Sequence, residues 1–149
     1  MLRITKESEY AFLLLSALLD EEDAPKSATK LAEQTGIAAP MTGKVLKRLV
    51  KFNILASTRG AYGGYTLTRD ARAITALEVV EAMEGTPELV ECAGQGKDCA
   101  LAGRCGISLF WLDINDDIRR MLAGKTLLDM QRTDRRLRHG GEVPLVPCK

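Results

Sequence analysis

Three cysteines in one short, glycine-bearing segment carry the strongest chemical signal in the chain: Cys92, Cys99 and Cys105. Six residues separate the first pair and five the second, so these are not the C-x-x-C knuckles of a zinc ribbon. The one histidine, His139, lies far downstream, which excludes a Cys₂His₂ finger. Glycines at 94, 96, 103 and 106 let the segment wrap a bulky group and aim backbone amides at its sulfides. Three thiolates supply three of the four protein ligands usual for a 2Fe–2S or 4Fe–4S cluster. Cys148, near the C-terminus, is a possible but poorly anchored fourth. A structural zinc site, a metal-free thiol–disulfide switch and three unrelated buried cysteines are the alternatives. The N-terminus has no apolar signal-peptide core, and no stretch approaches the ~18 apolar residues of a membrane span. The expected setting is therefore the cytoplasm, without a membrane partner, where reducing conditions favour metal or redox chemistry over structural disulfides.

The elements that must position this segment read from the N-terminus. Thr5 or Ser8 can cap a first helix to about Asp20, its broad apolar face (Phe12, Leu13, Leu14, Leu15, Leu18) implying burial. Ser27 caps a second helix that Gly36 stops. Pro40 opens a third, with Met41, Val45, Leu46, Leu49 and Val50 at helical spacing and Lys44, Lys47, Arg48 and Lys51 on the other side. Two helices joined through a glycine turn, the second basic, form a helix-turn-helix. Residues 54–59 and 65–68 suit strands joined by Gly60-Ala-Tyr-Gly-Gly64, a hairpin wing. Thr75 caps a fourth helix closed by Gly85. A long helix then runs from about Gly106 to Leu122, with an apolar stripe too heavy for a helix appended to a finished domain; a dimer interface or folding back on its own domain would use it. The segment 126–130 adds a turn or two.

The architecture expected is mainly α: a winged helix-turn-helix over 1–85, a cysteine-rich cluster-binding loop over 86–105, a dimerisation helix region over 106–130 and a mobile tail over 131–149. The net charge of +1 conceals a segregation. Residues 26–60 carry seven basic side chains, Lys26 among them, against the single acid Glu33, whereas the first 25 residues hold six acids against two bases. A basic helix-turn-helix suits phosphate neutralisation, an ordinary solvated helix face being the alternative. The side chains expected at double-stranded DNA are Ser27, Thr29, Pro40, Gly43, Lys44 and Lys47, with Arg59 and Tyr62 from the wing. No C-x-x-C, nucleotide-binding glycine fingerprint or catalytic His/Asp grouping suggests an enzyme.

Four strings together resemble the IscR/NsrR group of winged-helix regulators, also called the Rrf-two family: Lys6-Glu-Ser-Glu-Tyr10-Ala, Arg59-Gly-Ala-Tyr-Gly-Gly-Tyr65-Thr-Leu, Ile74-Thr-Ala-Leu-Glu78-Val-Val-Glu-Ala-Met-Glu84-Gly and the cysteine trio. The likeness covers roughly residues 1–130 and is greatest to regulators of SUF-type cluster-assembly operons, nitric-oxide or redox sensors being the close alternative. It implies a homodimeric repressor whose operator affinity follows an iron–sulfur cluster on Cys92, Cys99 and Cys105. The fourth ligand varies in the group. A histidine three residues after the last cysteine is replaced here by Ser108, and an acid of the first helix, supplied by the partner subunit, corresponds to Glu9. Where some members carry an operator-discriminating glutamate this chain has Gly43. A cluster carrier or electron-transfer protein without DNA function is the rival reading.

Overall fold

The structure, a computed structural model, describes residues 4–19, 24–60, 62–89 and 105–138, the side chains of 134–138 excepted. Its elements are α1 (Lys6–Leu19), α2 (Ala28–Thr35), α3 (Ala39–Lys51), β1 (Leu55–Thr58), β2 (Gly64–Leu67), a 3-10 turn (Ala71–Ala73), α4 (Ala76–Glu84), α5 (Ser108–Ala123) and α6 (Leu127–Arg138). The mainly helical winged helix-turn-helix expected from the sequence is what forms. Ala11, Leu14 and Leu15 of α1 meet Leu31, Val45, Leu46, Leu49, Val79 and Ala82 in one core, each at most 1% exposed. Burying a side chain of leucine size stabilises by about 1.5–3 kcal/mol. These contacts, rather than helix propensity, hold an α2 of only eight residues. Ser27 caps it by accepting the Lys30 amide at 3.1 Å, and Gly36 ends it at φ 71°, where a side chain would strain the backbone.

The wing is the antiparallel pair β1–β2, with Leu55 opposite Leu67 and Thr58 opposite Gly64. Tyr65 of β2 also exchanges backbone hydrogen bonds with Lys26, at 2.9 and 3.2 Å. Any Cβ on Gly64 would lie 2.6 Å from the Lys26 carbonyl, so glycine there is what allows the hairpin to dock. This docking turns Lys26 inward. Its side chain is 1% exposed and its ammonium donates to the Ala17 carbonyl at the end of α1, so Lys26 does not belong to the basic surface the sequence suggested.

α4 and α6 begin side by side. Thr75 and Glu78 form a capping box, and Thr126 and Asp129 repeat it: the aspartate accepts the Thr126 amide at 2.9 Å and the Thr126 hydroxyl accepts the Asp129 amide at 3.3 Å. Backbone bonds from Ala76 to Lys125 and from Leu127 to Ile74 tie the two caps together. α6 runs for 12 residues, to Arg138, rather than stopping after a turn or two. Gln131 anchors it by donating to the Leu19 carbonyl at 2.7 Å, a tertiary contact that the polar sequence of this segment does not advertise.

The end of α4 closes the start of α1. The Glu84 carboxylate accepts the Thr5 amide at 2.9 Å, the Thr5 hydroxyl at 3.3 Å and the buried Ser8 hydroxyl at 2.5 Å. Burial opposes its charge, but these hydrogen bonds and the nearby Arg48 outweigh that and hold the Glu84 carboxyl below its ordinary value of 4.5. A folded-state value below the unfolded one stabilises the fold above the ordinary carboxylate range, and the contribution is lost as pH falls through the depressed value. Glu84→Gln is therefore expected to cost roughly 0.5–1 kcal/mol at neutral pH, discounted for the exposed part of the carboxylate. Urea midpoints measured from pH 7 to pH 3 check this: the deficit should shrink with acidification, and a constant deficit contradicts the assignment.

Candidate nucleic-acid interface and cysteine loop

α3 divides sharply. Thr42, Val45, Leu46 and Leu49 are buried, while Pro40, Lys44, Lys47 and Lys51 face solvent with Gly43 between them. At 3.6 residues per turn these five lie within about a third of the helix circumference, one continuous strip. Nothing lies within 4 Å of where a Gly43 Cβ would stand, so packing does not require glycine; its effect is a low point between the lysines. Thr29 is exposed on the first turn of α2, beside Ser27, whose hydroxyl is already the α2 cap. Arg59 is exposed next to the wing turn, and Tyr62 at its tip is 96% exposed. An exposed basic strip, an adjacent helix N-terminus and an extended hairpin together can hold two phosphate backbones and the groove between them.

Not every basic side chain of the segment joins this surface. Arg48 sits on the edge of α3 facing α4, and its Nε donates to the Ala82 carbonyl at 2.6 Å. It joins helices rather than offering charge to a ligand. Lys44 pairs with Glu7 of α1 at 2.5 Å. Among the described residues, Lys47 and Lys51 have no ion pair. Glu7 and Glu84 are site residues that sequence reasoning missed; each acts on an element distant in sequence, and no local pattern marks them.

The cysteine loop leaves α4 through Gly85, at φ 86°, and both its ends are tied to α5. The buried Asn115 side chain accepts the Leu89 amide at 3.2 Å, and the Ser108 hydroxyl donates to the Cys105 carbonyl at 3.0 Å. Ser108 and Asn115 are two helical turns apart on one face, about 10 Å along the axis. Cys105 is half-buried. Cys92 and Cys99 lie outside the described residues, as do Cys148 and His139. As a set of ligand types, three cysteine thiolates suit a soft metal or an iron–sulfur cluster.

Glu9 is exposed on α1, paired with Lys6 at 2.5 Å. It borders a groove of about 750 Å³ with Ile4, Phe12, Leu13, Ser16, Met130 and Thr133. Among the described residues no three His, Cys, Asp or Glu side chains gather in a metal-holding group. On α5 the stripe Ile107, Trp111, Ile114, Ile118 and Met121 alternates at intervals of four and three residues. Ile107, Phe110 and Met121 remain 60%, 60% and 67% exposed, and Asn115 is the only buried residue of that helix. Folding back on its own chain thus leaves both ends of the stripe uncovered. Among the described residues no helix is long and apolar enough to cross a membrane.

Comparison with known proteins agrees with this architecture. The family model for Rrf2, described as an iron-dependent transcriptional regulator, matches residues 4–133. The HTH-type transcriptional regulator IscR of Yersinia pseudotuberculosis is 30% identical over 130 residues, covering 87% of this chain and 79% of its own length. IscR of Cronobacter sakazakii is 31% identical over 127 residues, 85% of this chain and 78% of the relative. Among solved structures, CymR, the global cysteine regulator of B. subtilis, superposes with a TM-score of 0.68 at 25% identity, covering 89% of this chain and 98% of that one. T. potens IscR superposes at 0.67 with 24% identity, over 89% and 88%, a likeness of fold.

The contrast between neighbouring basic residues gives a test. Lys47→Ala should weaken duplex binding and flatten the dependence of log K on log salt by about one unit, leaving the urea midpoint unchanged. Arg48→Ala should do the reverse, losing about 1–2 kcal/mol of stability with a nearly unchanged salt slope. Fluorescence anisotropy across a salt series, with parallel urea melts, separates the two.

Proposed function

Because the chain belongs to the Rrf2 family of transcriptional regulators, we propose that it is a cytoplasmic, homodimeric operator-binding repressor controlled by an iron–sulfur cluster and acting on cluster-assembly genes. In this reading Cys92, Cys99 and Cys105 hold the cluster and Glu9 of the partner subunit completes the ligand set. The observation that carries the proposal is the position of the cysteine loop, which starts immediately beyond the turn of α4 that bonds to both α1 and α3.

When bound, the cluster supplies a centre sensitive to oxygen, iron supply and nitric oxide, whose presence changes how many thiolates tether the loop. The remaining steps belong to the protein. Leu89 and Cys105 fasten the loop to α5, so a change in its shape acts on the last turn of α4 and on α5 together. Glu84 transmits displacement of α4 to the first turn of α1, and Arg48 transmits it to α3. Two α5 helices meeting through Ile107, Phe110, Ile114 and Met121 cover the exposed stripe and fix the distance between the two α3 strips. Recognition helices of a dimer must match half-sites about 34 Å apart. Misplacement forfeits part of the ~4–10 kcal/mol that separates specific from non-specific binding.

Cys99→Ala should abolish the visible absorbance of anaerobically purified protein, whereas full colour would remove Cys99 from the ligand set. Glu9→Ala should shorten the lifetime of the chromophore in air several-fold while sedimentation still reports a dimer. An unchanged lifetime assigns the fourth ligand elsewhere.

A further inference from the structure

The α3 strip has no acid of its own; its sequence from Ala39 to Lys51 contains neither Asp nor Glu. Yet a carboxylate is set against it from another helix. Glu7, 37 residues away in sequence, reaches Lys44 at 2.5 Å. We infer that Glu7 is an affinity-determining residue of the DNA interface, a built-in competitor that occupies Lys44 and that a DNA phosphate must displace. The inference rests on the reading of α3 as the DNA-facing helix and deepens it.

Three observations carry it. The pair is asymmetric: the Lys44 side chain is 59% exposed and that of Glu7 only 29%, so the acid is the seated partner and the lysine the one free to swing. Glu7 stands in the first turn of α1, where the helix dipole favours a negative side chain. The other acid near this junction, Glu84, is already engaged by Thr5, Ser8 and the charge of Arg48, leaving Glu7 as the acid paired with the strip among the described residues.

A paired lysine and an unpaired one contribute differently to DNA binding. Lys47 exchanges solvent and mobile anions for a phosphate, and each such contact releases condensed counterions from the DNA. Lys44 must first give up a carboxylate, and that carboxylate is then left facing the phosphates. The gain from Lys44 is thereby cut, and with it the salt dependence of binding. Because Thr5 and Ser8 hang the first turn of α1 on Glu84, the seat of Glu7 also moves with the end of α4 that carries the cysteine loop.

The test uses the full chain and a short fluorescein-labelled DNA duplex of arbitrary sequence, with anisotropy titrations across a salt series for wild type, E7Q, K44Q and the double variant. E7Q should bind about threefold to fivefold more tightly at low salt, the size of one surface ion pair. Its slope of log K against log salt should steepen by about one unit. In the K44Q background the same Glu7 change should have little effect. Unchanged affinity in E7Q overturns the inference. An equal gain with and without Lys44 also overturns it, because Glu7 would then act by general repulsion. Absence of binding by all four proteins overturns the DNA reading of α3 itself, and this inference with it.

Discussion

One carboxylate, Glu84, holds together two helix ends that lie 79 residues apart in the chain. It closes α1 from the C-terminal end of α4, accepting the Thr5 amide that the helix leaves unpaired and the buried Ser8 hydroxyl. On the same turn the Ala82 carbonyl, another unpaired terminal group, is taken by Arg48 of α3. Two helix ends are thus satisfied by each other's neighbours. The arrangement fixes α1, α3 and α4 relative to one another at the point where the chain departs toward the cysteines. Displacing that turn would unpair several polar groups at once, among them the buried Ser8 hydroxyl. The three helices are therefore coupled through this turn by side-chain contacts.

The rest of the architecture follows from what this junction leaves free. α5 lies against α4, joined by Arg119 to Glu81 at 2.9 Å and by Asn115 to the root of the loop. One edge of its apolar stripe is covered and the other is not, which is the form of a helix that still awaits a second surface. α3 offers lysines of two kinds, one tied to α1 and others open to solvent. A regulator that depends on modest affinity differences gains from such graded charge, since a uniformly open strip would bind any duplex strongly at low salt.

Much of this was legible in the sequence, and the reasons are local. Helical periodicity, the Ser27 and Thr75 caps, the stop at Gly36 and the glycine-rich wing turn are short-range signals, and each element they mark is present. Capping by Glu78, reinforced by Arg69, was equally local in kind, a threonine followed three residues later by an acid. Charge counting was less faithful. It treated Lys26 and Arg48 as surface residues, although one is turned under the wing by the docking of Gly64 and the other serves a helix end. The length of α6 escaped because its anchor, the contact of Gln131 with Leu19, spans 112 residues. Glu7, Glu84 and Asn115 escaped for the same reason: their partners are set by packing and leave no mark on neighbouring residues.

The claim that the cysteine loop speaks to the DNA-reading helix through the last turn of α4 is open to direct measurement. Amide hydrogen exchange, followed by mass spectrometry on anaerobically reconstituted protein before and after removal of iron, reports local opening along the chain. The account predicts altered protection in 86–105 accompanied by changes in the first turn of α1 and along α3. Changes confined to the loop, with α1 and α3 exchanging identically in both forms, would contradict it.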